Sequence, residues 1–231
     1  MKGRPDPEDR KAAGTDPAAF DDSGGSPARD PGLASHGHSG SAHEPFERVV
    51  GSRVLHRGRY LTFRVDTIER PDGSRSERDI AGHPGAVAIV AVDADDRVLL
   101  VRQFRLATGG TLLEIPAGTL DQAADGRIED PDRAARRELE EETGQRARDW
   151  RKIGTFWTAP GFATEEMHLY LATELEHVSD TLGEDEDEQL ELVRMPWRDA
   201  VALAESGGIR DAKSLVGLFW LARLRAAASP G

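Results

Sequence analysis

The stretch Arg137-Glu138-Leu139-Glu140-Glu141-Glu142-Thr143-Gly144 decides how this chain is read. On an α-helix Glu138, Glu141 and Glu142 fall at i, i+3 and i+4, positions that share one face. Like charges at that spacing repel and mildly destabilise a helix. A hard divalent cation offsets the repulsion, because Mg²⁺ takes oxygen ligands and keeps waters and substrate phosphates in its shell. The same run also fits an ordinary solvated acidic face, with Arg133, Arg136 and Arg137 as surface ion partners. Spacing alone leaves these two readings level.

The helix has readable ends. Asp130 suits the N-cap, Pro131 the first turn and Asp132 the positive end of the dipole, and Gly144 is placed to stop it. Outward from it, apolar runs predict buried strands at 86–92 and 97–101, joined by Asp93-Ala94-Asp95-Asp96, and further strands at 151–157, 167–173 and 190–196. Residues 197–205 and 211–227 read as helices; in the second, Leu215, Leu218, Phe219, Leu221 and Ala222 recur at helical spacing. Upstream, 60–68 alternates, with Leu61, Phe63 and Val65 on one face. Pro71-Asp72-Gly73 then turns the chain into a returning strand at 75–80. The order of elements predicts an α+β fold of the α/β/α sandwich type, with a mixed central sheet preceded by a small N-terminal antiparallel sheet. Trp157, Trp197 and Trp220 are expected in the core.

The division expected is a disordered tail at 1–45, antiparallel strands at 46–81 and a main domain at 82–227. The tail is rich in Pro, Gly, Ser, Ala and Asp and has too few large apolar side chains to offset its ordering entropy. Its His36, His38 and His43 read as solvated rather than as a metal site. The 231 residues carry a formal net charge of -12, which argues against nucleic-acid binding but not against a phosphate substrate bridged by metal. With no cysteine, disulfides and thiolate–zinc sites are excluded. The longest apolar stretch is too short to span a membrane, and the N-terminal stretch lacks the apolar core of a signal peptide, so a cytoplasmic location is expected. The acidic run Glu184-Asp185-Glu186-Asp187-Glu188 reads as a solvated loop.

Arg137 to Gly144 resembles the second half of the Nudix box, with seven residues between Glu129 and Arg137 and Gly118 at the box's opening glycine. Two departures stand out. Ten residues separate Gly118 from Glu129 where the box has five, which places an insertion of about five residues around Ala123 to Arg127. Gln145 fills the final apolar position. Gly82-His83-Pro84-Gly85-Ala86, Val101-Arg102-Gln103-Phe104-Arg105, Leu113-Glu114-Ile115-Pro116-Ala117-Gly118, Ala159-Pro160-Gly161-Phe162 and Gly208-Ile209-Arg210-Asp211-Ala212-Lys213-Ser214 resemble the ADP-ribose pyrophosphatase branch of that family.

The resemblance implies hydrolysis of the pyrophosphate in a nucleoside diphosphate sugar, ADP-ribose first, by a metal-activated water. GDP-mannose, or a non-catalytic ADP-ribose-binding module, are the alternatives. It implies Mg²⁺, with Mn²⁺ as a substitute, on Glu138, Glu142 and the backbone carbonyl of Ala117. Glu141 stands beside them, and Arg137 orients the glutamates. Glu165, in a mobile loop after Pro160, is the expected general base and Glu166 the second choice. Arg105 is expected on phosphate, Glu114 on a ribose hydroxyl or metal-bound water, and Phe162 with Pro160 at the adenine. Glu188 resembles an acidic family position whose role the sequence does not fix. In this branch the N-terminal strands pack across a homodimer, so a dimer is expected.

Overall fold

Three strands, β1 (Arg48–Arg57), β2 (Thr62–Glu69) and β3 (Arg75–Gly82), pair antiparallel in a sheet of their own. They appear in a computed structural model whose described residues are 46–178 and 190–228. The tail 1–45 and the run Glu184–Glu188 lie outside those residues. In β2 the buried side chains are Arg64, Val65, Asp66 and Ile68. Leu61 and Phe63, which share a face with Val65, are exposed. Arg64 and Asp66 form an ion pair at 3.0 Å on the opposite face, and Ser52 donates to Asp66.

The remaining elements are β4 (Ala86–Ala91), β5 (Arg97–Arg105), β6 (Gly110–Glu114), β7 (Ala117–Thr119), α1 (Pro131–Thr143), β8 (Gln145–Trp157), β9 (Glu166–His177), β10 (Glu191–Pro196), α2 (Trp197–Glu205) and α3 (Ala212–Ala228). They build two sheets, ordered β7-β4-β9-β8 and β10-β5-β6. β4 runs parallel to β9, and the other pairs are antiparallel, so the sheet is mixed. The unbroken apolar run of β4 has the sequence signature of a strand covered on both faces. Ala86, Ala88 and Val90 pack with Leu218 and Leu221 of α3 and Ala200 and Ala204 of α2. Val87, Ile89 and Ala91 pack with Ala134, Ala135 and Leu139 of α1. That is the expected α/β/α sandwich. No helix among the described residues is long and apolar enough to cross a membrane.

Helix α1 begins and ends where its caps put it. The Asp130 carboxylate accepts from the N–H groups of Asp132 and Arg133 at 3.0 and 3.2 Å. Gly144 adopts φ 64° and its N–H closes onto the Glu140 carbonyl at 2.9 Å. Asp130→Ala leaves two of the first-turn donors without this acceptor and should cost about 1 kcal/mol, read as a lower urea midpoint at unchanged slope. Gly144 also delivers the chain straight into β8, which therefore starts at Gln145 and not at 151. β6 and β7 escape a sequence reading because they are five and three residues long and are broken by glycines and Pro116.

Two aromatic positions correct the expected core. Trp157 is 40 % exposed at the last residue of β8, an edge strand. Phe219 is 44 % exposed although it shares the spacing of its buried neighbours on α3. Trp197 and Trp220 do pack against the core.

Candidate metal and active site

The α1 carboxylates face β7. Glu138 has a side chain only 12 % exposed and pairs with Arg137 Nη1 at 2.7 Å. Its carboxyl group occupies the space above Gly118, where a Cβ would stand 1.9 Å from the carboxyl carbon. The glycine is thus a requirement of close approach, not of backbone conformation. Glu142 is buried, and its Oε2 accepts from the Ala117 N–H at 3.0 Å. Glu141 is the more exposed of the three and is held by Arg137 at 2.8 Å. Arg137 also binds Glu129 at 2.9 Å. Burial works against its charge, but Glu129, Glu138 and Glu141 more than compensate and keep it protonated.

The insertion between Gly118 and Glu129 is pinched off as a small hairpin. Gln122 bridges Ile128, the Ala123 N–H donates to the Arg127 carbonyl, and the Glu129 N–H donates to the Asp121 carbonyl at 2.8 Å. The extra residues therefore leave Glu129 beside Asp121 and within reach of Arg137. At the root of the hairpin, Leu120, Asp121 and Gln122 line a cleft of about 270 Å³ with Arg59, Tyr60 and Pro84.

The segment after Pro160, expected as a mobile loop, is hydrogen-bonded to the chain around His83. Ala81 N–H donates to the Phe162 carbonyl at 2.7 Å, Thr164 N–H to the Ala81 carbonyl at 3.0 Å, and His83 N–H to Thr164 Oγ1 at 2.9 Å. Glu165 accepts from Thr158 Oγ1 at 2.5 Å and lies 3.8 Å from His83 Nε2; the α1 carboxylates are not among its partners. Burial lowers the His83 pKa more than Glu165 raises it, so the ring is neutral near pH 7. Gly85 N–H donates to His83 Nδ1, which puts the ring proton on Nε2, toward Glu165. Pro160 and Phe162 are both exposed, Phe162 by 58 %. Glu166 opens β9 opposite Trp157.

Arg105 and Glu114, expected to reach substrate separately, are bound to each other. Arg105 Nε and Nη2 donate to the two Glu114 oxygens at 2.9 and 2.8 Å. Glu114 is 1 % exposed and also binds Lys213. Burial pushes its carboxyl up, but Arg105 and Lys213 outweigh this and hold it below the usual range. Its oxygens, expected on a ribose hydroxyl or a metal-bound water, are here turned to these two protein cations.

The comparisons with known proteins agree with this geometry. The NUDIX domain family model matches residues 82–216, and that of the nucleoside diphosphate sugar hydrolase N-terminal domain matches 47–80. The chain belongs to the Nudix family. It is 39 % identical to an ADP-ribose pyrophosphatase of Bacillus subtilis (strain 168), over 76 % of this chain and 92 % of that one. It is 34 % identical to a GDP-mannose pyrophosphatase of Cronobacter sakazakii, over 73 % of this chain and 91 % of that one. Its fold matches a crystal structure of an ADP compounds hydrolase with TM-score 0.68 at 25 % identity, covering 82 % of this chain and 99 % of that one.

Within this Nudix chain the structure gathers Ala117, Gly118, Glu129, Arg137, Glu138, Glu141 and Glu142 in one place. Arg105 and Glu114 form a second group, and Glu165 a third. Sequence reasoning missed Lys213 as a partner of Glu114, and missed Thr158 and His83 as partners of Glu165. Among the described residues no three acidic or imidazole groups converge as a cation cage; Arg137 and the Ala117 N–H hold the glutamates.

Burial pushes the Glu138 carboxyl up from 4.5 to about 7 against the opposing pull of Arg137. A raised carboxyl favours the folded state in its neutral form. The stability it supports is complete below about pH 4.5 and is lost as pH rises through about 7. In EDTA the melting temperature should therefore fall between roughly pH 5 and pH 8, and Glu138→Gln should flatten that fall. Mg²⁺ should raise it more at the higher pH, where the carboxylate form is available. Thermal melts that show the same pH slope in Glu138→Gln would remove Glu138 as its source.

Proposed function

We propose that this Nudix hydrolase cleaves the pyrophosphate of ADP-ribose to AMP and ribose 5-phosphate, with Mg²⁺ held by Glu138, Glu142 and the Ala117 carbonyl. The observation that carries the reading is the pair of buried carboxylates on α1, one of them raised to about 7 and fitted over Gly118. All the donors are hard oxygens, which suits Mg²⁺ or Mn²⁺. Such an ion would neutralise the pyrophosphate and lower the pKa of the attacking water.

The protein's own work is positioning. Arg137 aims Glu138 and Glu141. Arg105, 38 % exposed, is the cation for the diphosphate, paired with Glu114 until substrate draws it away. Exposed Phe162 with Pro160 offers the adenine a stacking surface. Glu165, oriented by Thr158 and the neutral His83, takes the proton. Glu165→Gln should lower kcat by about 10²–10⁴ if it is the base. An unchanged kcat would move that role to another carboxylate, and Glu166→Gln is the next variant to measure.

Val49, Val54, Leu55, Leu61 and Phe63 of the N-terminal sheet region are all more than a third exposed. So many apolar side chains on one small sheet favour a homodimer built through it, which sedimentation equilibrium would detect. The deciding experiment for substrate is a panel containing ADP-ribose and GDP-mannose, with and without Mg²⁺, read by release of phosphomonoester. GDP-mannose is the second reading because a relative of similar coverage bears that name. Faster turnover of GDP-mannose than of ADP-ribose would overturn the first. Tight ADP-ribose binding with no cleavage in either metal would turn the chain into a binding module.

A further inference from the structure

Glu114 holds two cations where one would neutralise it. Its buried carboxylate takes both arms of Arg105 and also Lys213. The two cations differ in setting: the Arg105 side chain is 38 % exposed and that of Lys213 is 11 %. Lys213 is fixed from behind. It lies 3.1 Å from Asp211, whose other oxygen accepts from the N–H and Oγ of Ser214 at 3.0 and 2.6 Å. Ser214 Oγ in turn accepts from the Ile115 N–H at 2.8 Å, next to Glu114 in the chain. Asp211 thus keeps two hydrogen bonds of its own even when Lys213 leans fully onto Glu114.

An arginine that must contact a substrate faces a difficulty here. Leaving a buried carboxylate without a partner is strongly unfavourable, so an Arg105 that alone neutralised Glu114 would stay on it. We propose that Lys213 is the resident counter-ion of Glu114, whose charge frees Arg105 to turn to the diphosphate of the substrate. This rests on Arg105 as the phosphate contact proposed above. It makes Lys213 a positioning residue: it sets how tightly Arg105 is held and touches no substrate. It also explains how an ion-paired arginine can remain available to substrate.

Steady-state kinetics on the full chain, with the best substrate of the panel, tests the idea in four variants. Arg105→Gln should raise KM with little change in kcat, the signature of lost uniform binding. Lys213→Met should do the same, by about tenfold or more, because Arg105 is then the sole partner of Glu114. Lys213→Arg should restore the low KM. The double variant Lys213→Met/Glu114→Gln should also recover it, since a neutral amide no longer retains Arg105; a purely structural role for Lys213 predicts a second loss instead.

Should Lys213→Met not fold, Glu114→Gln alone carries the test and should lower KM, because Arg105 is less tightly held. A raised KM in that variant overturns the proposal. So does a Lys213→Met enzyme with the wild-type KM while Arg105→Gln is impaired. An Arg105→Gln enzyme with the wild-type KM overturns the phosphate assignment itself, and the role of Lys213 with it.

Discussion

Glu142→Gln should cost on the order of 10²–10³ in kcat and leave the fold standing. Both halves follow from where the side chain sits. Glu142 is buried on the core side of the α1 face and its Oε2 accepts from the Ala117 N–H. A glutamine has the same length and keeps a carbonyl oxygen for that N–H. What it loses is the charge, and a divalent ion is drawn to that site chiefly by charge. With that hydrogen bond kept by an isosteric side chain, the unfolding midpoint in EDTA should change little. The stabilisation conferred by Mg²⁺ should shrink at the same time, because ligand binding to the folded state alone stabilises it by mass action. Turnover assays paired with melts in EDTA and in Mg²⁺ read both effects. Wild-type turnover in Glu142→Gln would remove Glu142 from the catalytic metal site, whatever the melts show.

That prediction rests on residues the sequence exposes well. Glu138, Glu141 and Glu142 lie on a helix whose ends are written in local signals, Asp130 and Gly144, and local signals survive without tertiary knowledge. The apolar run of β4 was equally legible, because a strand covered on both faces has no polar side to hide it. Legibility fades where the deciding partner is far away in sequence. Glu114 reads as a polar residue at a strand end until Lys213, ninety-nine residues on, closes over it. Leu61, Phe63 and Val65 alternate as a core face should, yet of the three only Val65 is buried, and Arg64 and Asp66 of the opposite face are buried with it. Periodicity gives which residues share a face; it does not say which of them are covered. Trp157 is large and apolar and still exposed, because it ends an edge strand. The insertion at Ala123 to Arg127 interrupts the spacing in sequence but not in space, since Asp121 and Glu129 meet across it.

Gly118→Ala should separate activity from stability more cleanly than any ligand change. The added methyl would lie 1.9 Å from the Glu138 carboxyl carbon and 2.4 Å from its farther oxygen, so the two cannot coexist. What gives way is the far end of a flexible side chain, not backbone, and Glu138 rotates off α1's inner face. Gly118 does not use a left-handed backbone, so alanine brings no conformational strain and even restricts the unfolded chain slightly. Displacing Glu138 also moves a carboxyl that burial holds near 7 toward water, which relieves the metal-free protein at neutral pH. The fold should therefore be as stable as wild type, while cation affinity and turnover fall by about 10–100-fold or more. Gly154→Ala makes the contrast: its methyl would meet the Trp220 ring at 2.6 Å, a rigid neighbour packed on the core, so stability rather than metal dependence should suffer. A Gly118→Ala protein with normal turnover and normal Mg²⁺ response would mean that Glu138 works from some other position than the one it occupies above β7. A Gly118→Ala protein that fails to fold would mean that the β7–α1 contact is structural first.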